Sequence, residues 1–324
     1  MRLFLYLLIF LLGLVSGPLV GASSRPNVVL IVADDQGFGD SQTFWSDSQV
    51  ETPNLERLAE RGFKFTNYRT QPLCTPSRAA VLTGLFNSGF NQQGSAHLVG
   101  VDDRVTFLSE FLRRMGYQTG AFGKWHLGSN DGDHPLDRGF GKWVGFYGGS
   151  MPYHYAYGKD QVFDGKLPFR SRWRHSTDLF ADQAISFIRA NKDAPFFAYL
   201  AFNAVHTPIW SEASPVYSAR DDWVGKMRAR GITEPAAADY YALLEHMDQR
   251  VGDVLDVIDD LDLSRNTLII YLSDNGALTP EHFPHAPQQG SNGPYRGGKA
   301  SPYEGGIRVP FLVDRKSTRL NSSH

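Results

Sequence analysis

The chain of 324 residues is 42% hydrophobic, 20% charged and 13% aromatic, a composition that builds a globular core and excludes a disordered polymer. Its length suits one large domain or two smaller ones. A net charge of −2 gives no overall field to recruit nucleic acid or an anionic membrane, so any anionic substrate must be held by local cations.

Arg2 is followed by an apolar run from Leu3 to Val15 and by Val20-Gly21-Ala22, which reads as a cleavage site. The run is too short for an ordinary transmembrane helix and no second one follows, so residues 1–22 are expected to be a signal peptide, with no stable membrane anchor. Asn27 to Ala33 is nearly all apolar and reads as a buried parallel strand ending at Asp34-Asp35. Thr52-Pro53 predicts the cap of a helix running to about Glu60, with Gly62 closing it. Phe63 to Tyr68 alternates as a strand does and leads to Cys74, the only cysteine in the chain. Pro76 and a run of helix formers follow, placing Cys74 just ahead of a helix N-terminus, where unpaired N–H groups favour negative charge. Arg78, about one turn on, can return its guanidinium to the same place. From these residues alone Cys74 reads as a low-pKa nucleophile or as a small buried hydrophobe.

Thr106 opens a helix to Met115, stopped by Gly116, and Tyr117 to Phe122 is the next strand. Residues 130–174, rich in Gly, aromatic and charged residues, read as a long irregular excursion of the kind that carries function. Thr177 to Asn191 has helical periodicity, Pro195 to Phe202 reads as a strand, and Ala236 to Leu261 reads as a long helix. Thr267 to Leu272 is a buried strand ending at Asp274-Asn275, and Val309 to Val313 is another. Strands alternating with helices give an α/β class: a mostly parallel central sheet flanked by helices on both faces, with ligands outside the carboxyl ends of the strands. Asp34-Asp35 and Asp274-Asn275 each make ordinary turns. Together, at two strand ends, they also make an oxygen set for a hard divalent cation such as Ca²⁺ or Mg²⁺. Lys124 and His126 alternate at a strand end and so face one side, although a solvated Lys and a hydrogen-bonded His would read the same.

The string Cys74-Thr75-Pro76-Ser77-Arg78, with Thr83-Gly84 after it, resembles the signature of the sulfatase family. Gly116 to Gly128, carrying Lys124 and His126, resembles the second signature of that family, with Phe122 where a small or aliphatic residue is usual. Asn203-Ala204-Val205-His206-Thr207-Pro208 also matches, and Gly297-Gly298-Lys299 with Tyr303 to Pro310 resembles the tract that carries a sulfate-binding lysine. The resemblance runs from about Pro26 to Val313 with the motifs in the family's order. It implies an alkaline phosphatase-like fold over residues 23–314, with a smaller C-terminal subdomain that this sequence does not supply. It further implies that Cys74 is oxidised to formylglycine by a formylglycine-generating maturation enzyme. Asp34, Asp35, Asp274, Asn275 and residue 74 would then ligate one divalent cation, Ca²⁺ or Mg²⁺. Arg78, Lys124 and Lys299 would supply positive charge, His206 or Lys299 a proton for the leaving oxygen, and His126 a base. The implied activity is hydrolysis of an aryl or carbohydrate sulfate ester.

Two rivals stand beside it: a phosphate or phosphonate ester hydrolase of the same superfamily, which extra cations around the site would favour, and a non-catalytic binder of sulfated glycans. Arg170-Ser171-Arg172-Trp173-Arg174-His175 reads as a contact for a sulfated sugar or as a solvated basic loop. Tyr153, His154, Tyr155 and Tyr157 line a pocket or pack the excursion onto the domain. A single cysteine and no Asn-x-Ser/Thr sequon between Ser23 and Arg315 favour export to a bacterial periplasm or medium over a glycosylated animal lysosome. Residues 315–324 are polar and patternless and are expected to be a non-native tail.

Overall fold

The computed structural model describes residues 25–86, 100–155, 162–169, 174–207, 218–279, 281 and 289–315. In chain order the strands are β1 (Asn27–Ala33), β2 (Phe63–Lys64), β3 (Gln118–Lys124), β4 (Lys142–Phe146), β5 (His154–Tyr155), β6 (Phe163–Asp164), β7 (Leu167–Pro168), β8 (Arg174–His175), β9 (Phe196–Ala201), β10 (Thr267–Ser273) and β11 (Phe311–Asp314). The helices are α1 (Pro53–Arg61), α2 (Cys74–Thr83), α3 (Leu108–Arg114), α4 (Ser176–Ala190), α5 (Asp221–Ala229), α6 (Pro235–Asp260) and α7 (Glu304–Ile307). Nine strands form one sheet in the order β2-β11-β10-β1-β9-β3-β4-β6-β7, and β5 and β8 form a separate ribbon. The five central strands, β10-β1-β9-β3-β4, are all parallel; the antiparallel pairings lie at the two edges.

The alternation of β1 separates two cores. Val29, Ile31 and Ala33 face one way, into the layer of α1, α4, α5 and α6, while Leu30 and Val32 face the other, toward Ala79 and Leu82 of α2 and Leu112 of α3. A strand buried on both faces must be apolar at every position. Each Val, Leu or Ile side chain among them contributes about 1.5–3 kcal/mol by leaving water.

Several expectations need correcting. The excursion over 130–174 is not irregular throughout: β4 is a central parallel strand within it, with Trp143, Val144 and Phe146 buried. Gly145 hid it, because glycine normally weakens a strand. Here a Cβ on Gly145 would stand 2.0 Å from the Gly123 carbonyl oxygen, so the β3–β4 approach excludes any larger residue. Phe63 to Tyr68 is a strand only as far as Lys64, and it lies at the antiparallel edge. Helix α5 was not signalled. The part of the basic run over 170–173, Tyr157, the leader at 1–22 and the tail beyond residue 315 lie outside the described residues.

The cap of α1 also differs. Thr52 makes no side-chain cap bond; its hydroxyl lies 2.7 Å from Ser41 Oγ. The cap comes from Asp248 on α6, whose Oδ1 accepts from Leu55 N at 2.8 Å and whose Oδ2 accepts from Asn54 N at 3.0 Å. One carboxylate therefore satisfies two orphan amides and ties two helices together. Asp248→Ala is expected to lower unfolding free energy by about 2 kcal/mol, and Asp248→Asn by about half as much. Urea titration checks this, and an unchanged midpoint for Asp248→Ala would remove the cap from the account.

Candidate active site

Four adjacent strands, β10, β1, β9 and β3, end at the same level, since Ala33 pairs with Ser273, Val32 with Ala201, and Ala201 with Gly123. Residues just past these ends must therefore meet. The ladder continues beyond the strands: Asp34 N donates to Ala204 O at 2.8 Å, Val205 N to Asp34 O at 2.7 Å, and Asp274 N to Ala33 O at 3.1 Å. These bonds fix the backbone of Asp34, of the turn before His206, and of Asp274.

The side chains form a buried knot of charge. Lys124 Nζ lies 2.6 Å from Asp34 Oδ2, and Lys299 Nζ lies 2.7 Å from Asp35 Oδ1 and 2.8 Å from Oδ2. Arg78 donates to Asp274 Oδ2 from Nε at 2.9 Å and from Nη2 at 2.7 Å, with Nη2 also 3.7 Å from Asp34 Oδ1. Asn275 Nδ2 donates to Asp35 Oδ1 at 2.7 Å, and His206 Nε2 lies 3.6 Å from Asp35 Oδ2. All of these side chains are buried. Cys74 is the first residue of α2, so it stands at the helix's amino end rather than ahead of it, and it is buried. Its thiol is within electrostatic reach of Lys124, Lys299, Asp274 and Asp34. His126 is buried two residues past the end of β3, with its backbone N–H donating to Tyr147 O. Its φ of 57° takes it out of the strand, so the alternation with Lys124 does not govern where its ring lies.

Three carboxylates, Asp34, Asp35 and Asp274, face three fixed cations, Arg78, Lys124 and Lys299. The balance is not uniform. Burial pushes Asp34 up to about 8, with Asp274 and Asp35 adding to it against Lys124 and Arg78. Burial also acts on Asp35, but Lys299 and His206 outweigh it and hold that carboxyl well below the usual range. Burial and Lys299 together push His206 down to about 3. Its Nδ1 lies 2.7 Å from Thr207 O; a carbonyl only accepts, so Nδ1 carries a proton and Nε2 faces Asp35. Two oxygens in the knot, Asp34 Oδ1 and Asn275 Oδ1, are buried without a hydrogen bond. Asp34, Asp35 and His206 also offer ligand atoms within 4.8 Å of one another. Orphaned hard oxygens next to a carboxyl strained by its neighbours fit a divalent cation, which would restore Asp34 to its charged form.

The loop bearing Lys299 is braced by residues the sequence did not single out. Asn292 accepts from Ala277 N through Oδ1 at 2.8 Å, and its Nδ2 donates to Gly297 O at 3.0 Å. Asp40 accepts from Ser291 N at 2.8 Å and from the Tyr240 hydroxyl at 2.7 Å. Glycines in such a tract can let backbone approach a ligand closely or simply give a flexible loop. Here Gly305 and Gly306 admit the chain's own backbone: a Cβ at Gly305 would meet Gly297 O at 2.1 Å, and one at Gly306 would meet Ser301 O at 2.1 Å. A second cluster, His175, Asp178 and His246, also has ligand spacing. Most of its ligand atoms are engaged in structural contacts, with His246 Nε2 and Arg220 Nη1 each 2.8 Å from an Asp178 oxygen and His175 Nδ1 capping α4, while His246 Nδ1 is buried without a hydrogen bond. It ties α4 to α6 and to the residue before α5.

The chain matches the family model described as Sulfatase over residues 26–321. It is 33% identical to human N-acetylgalactosamine-6-sulfatase (Homo sapiens) over 329 residues, covering 90% of this chain and 57% of that protein. It is 29% identical to an arylsulfatase of Klebsiella aerogenes, covering 83% and 70%. The structure of Ps i-CgsB in complex with k-i-k-neocarrahexaose superposes with a TM-score of 0.80 at 30% identity, covering 90% of this chain and 66% of that one. The chain thus spans somewhat over half the length of the mammalian relatives it matches.

Millimolar Ca²⁺ is expected to raise the melting temperature of the protein, because a ligand that binds only the folded state adds stability as its concentration exceeds Kd. Asn275→Ala is expected to remove most of that shift. A shift of equal size in the variant, read by calorimetry, would place the cation elsewhere.

Proposed function

The chain belongs to the sulfatase family, and on that premise we propose that it hydrolyses sulfate esters at the knot formed by Asp34, Asp35, Arg78, Lys124, His206, Asp274, Asn275 and Lys299. The observation that carries the reading is the knot of three carboxylates and three cations at the carboxyl ends of adjacent strands, with Cys74, at the start of α2, within electrostatic reach of Lys124, Lys299, Asp274 and Asp34. As formylglycine, residue 74 supplies a hydrated aldehyde with one hydroxyl to attack sulfur and a second through which sulfate is later expelled. Asp34, Asp35, Asp274 and Asn275 would hold a divalent cation, with residue 74 completing the set. That cation supplies charge stabilisation and acidity.

The chain's own groups set the rest. Arg78, Lys124 and Lys299 are fixed before substrate arrives, so their field costs little reorganisation when charge shifts to the ester oxygens. His206 keeps its Nδ1 proton on Thr207 O, so it serves as donor to the leaving oxygen only once Nε2, which faces Asp35, has taken up a second proton from solvent; Lys299 is the other candidate donor. His126 is proposed as the base of the second step. The plain thiol of Cys74 is pushed up by burial, so unconverted it would stay protonated and serve poorly as a nucleophile.

Relatives named for carbohydrate and aryl sulfates support a sulfated glycan or aryl substrate here. Export, through the leader at 1–22, and conversion of Cys74 by a maturation enzyme belong to the same proposal; no helix among the described residues is long and apolar enough to cross a membrane.

Mass spectrometry of the peptide containing residue 74 from the native host is expected to show an aldehyde in place of the thiol. Cys74→Ala should lose aryl sulfate turnover by a factor on the order of 10⁴, and parallel assays should favour aryl sulfate over aryl phosphonate. Retained turnover in Cys74→Ala would sink the mechanism.

A further inference from the structure

We propose that Tyr153 is a positioning residue for His206, acting through the turn that presents the imidazole. This rests on the reading of His206 as a proton donor to the leaving oxygen. Tyr153 belongs to the aromatic stretch that the sequence left between pocket lining and packing. Its side chain is fully buried, so it lines no open pocket. Its hydroxyl lies 2.9 Å from Asn203 O and 2.8 Å from His206 O. These two carbonyls bracket the four-residue turn that follows β9, and His206 N donates to Asn203 O across it at 3.0 Å.

The single phenolic proton is thus shared between the carbonyls at the two ends of the turn. Two further bonds close a circuit around it. Ser176 N donates to Tyr153 O at 2.7 Å, and Ser176 Oγ donates to Asn203 Oδ1 at 2.9 Å. The Tyr153 ring stacks on His175, with centroids 5.3 Å apart, and His175 caps α4. The ring is therefore held on its face, at its backbone and at its tip. On the other side the same turn is pinned by Val205 N donating to Asp34 O at 2.7 Å. Asp34 fixes the turn's middle toward the carboxylates, and Tyr153 fixes its ends from behind. A phenol is suited to the place, because its rigid ring reaches a buried carbonyl with few rotamers to freeze.

A displacement of about 1 Å at a reacting group costs up to about 100-fold, so loosening the turn should slow the step that uses His206. Tyr153→Phe keeps the ring and its stacking and removes only the hydroxyl. In the matured, metal-loaded protein it is expected to lower kcat about tenfold or more for sulfate esters of poor leaving groups, such as sugar alcohols. With 4-nitrophenyl sulfate, whose leaving group needs no proton, the change should stay within about threefold. In a His206→Ala background the same substitution should change neither rate further. Equal losses on both substrates, or the same loss without His206, would make Tyr153 purely structural and overturn the proposal. His206→Ala itself separates the two readings. If it spares poor leaving groups, the donor assignment fails first; if it slows them and Tyr153→Phe does not, only the positioning role fails. Thermal melts of each variant report folding separately from these ratios.

Discussion

Six charged side chains buried without water would cost several kcal/mol each if any stood alone. In this chain they do not stand alone: Asp34, Asp35 and Asp274 are matched by Lys124, Lys299 and Arg78 at 2.6–2.9 Å. The matching depends on the order of the sheet. β1 supplies two carboxylates, β10 on one side supplies a third with Asn275, and β3, two strands away on the other, supplies Lys124. Arg78 crosses from α2 to Asp274, which fixes α2 over the strand ends and with it the position of Cys74. A change of strand order would strand a charge in the interior.

The knot is made by long-range contacts. Asp35 meets Asn275 across 240 residues and Lys299 across 264, so no local segment can form it before the sheet does. The connections that bring Lys299 back are held by backbone packed directly on backbone at Gly276, Gly305 and Gly306, and by the amide of Asn292. Such loops are rigid because each glycine sits where no side chain fits, not because glycine is stiff; its own entropy acts the other way.

Runs of apolar residues ending in acidic pairs were legible, because a doubly buried strand has to be apolar throughout and its carboxyl end has to turn. That is why β1, β9 and β10 and the pairs Asp34-Asp35 and Asp274-Asn275 could be placed from the residues. What escaped was set by tertiary partners. Gly145 disguised β4, since only the closeness of β3 explains a glycine there. Thr52 looked like a helix cap, but a carboxylate 196 residues away in sequence had taken the role and left the hydroxyl to Ser41. His126 looked like the next tooth of a strand that had already ended. Tyr153 was legible only as pocket lining or packing, because its work is done by one oxygen on carbonyls of another segment.

Cys74 gathers these effects in one place. A helix amino end offers about half a positive charge, which taken alone lowers a thiol's pKa. In the folded chain burial wins and the thiol is pushed up, with Asp274 and Asp34 opposing Lys124 and Lys299. The two readings left open by the sequence therefore divide by chemical state. As a cysteine, residue 74 behaves as a small buried hydrophobe. Its neighbours nonetheless form a field built for an oxygen anion: a guanidinium one turn below, two ammoniums, and orphaned oxygens on Asp34 and Asn275 where a hard cation fits. Sulfur suits none of those partners as well as oxygen does. The mismatch between the thiol and its surroundings is the physical reason to expect that the working side chain at this position presents oxygen.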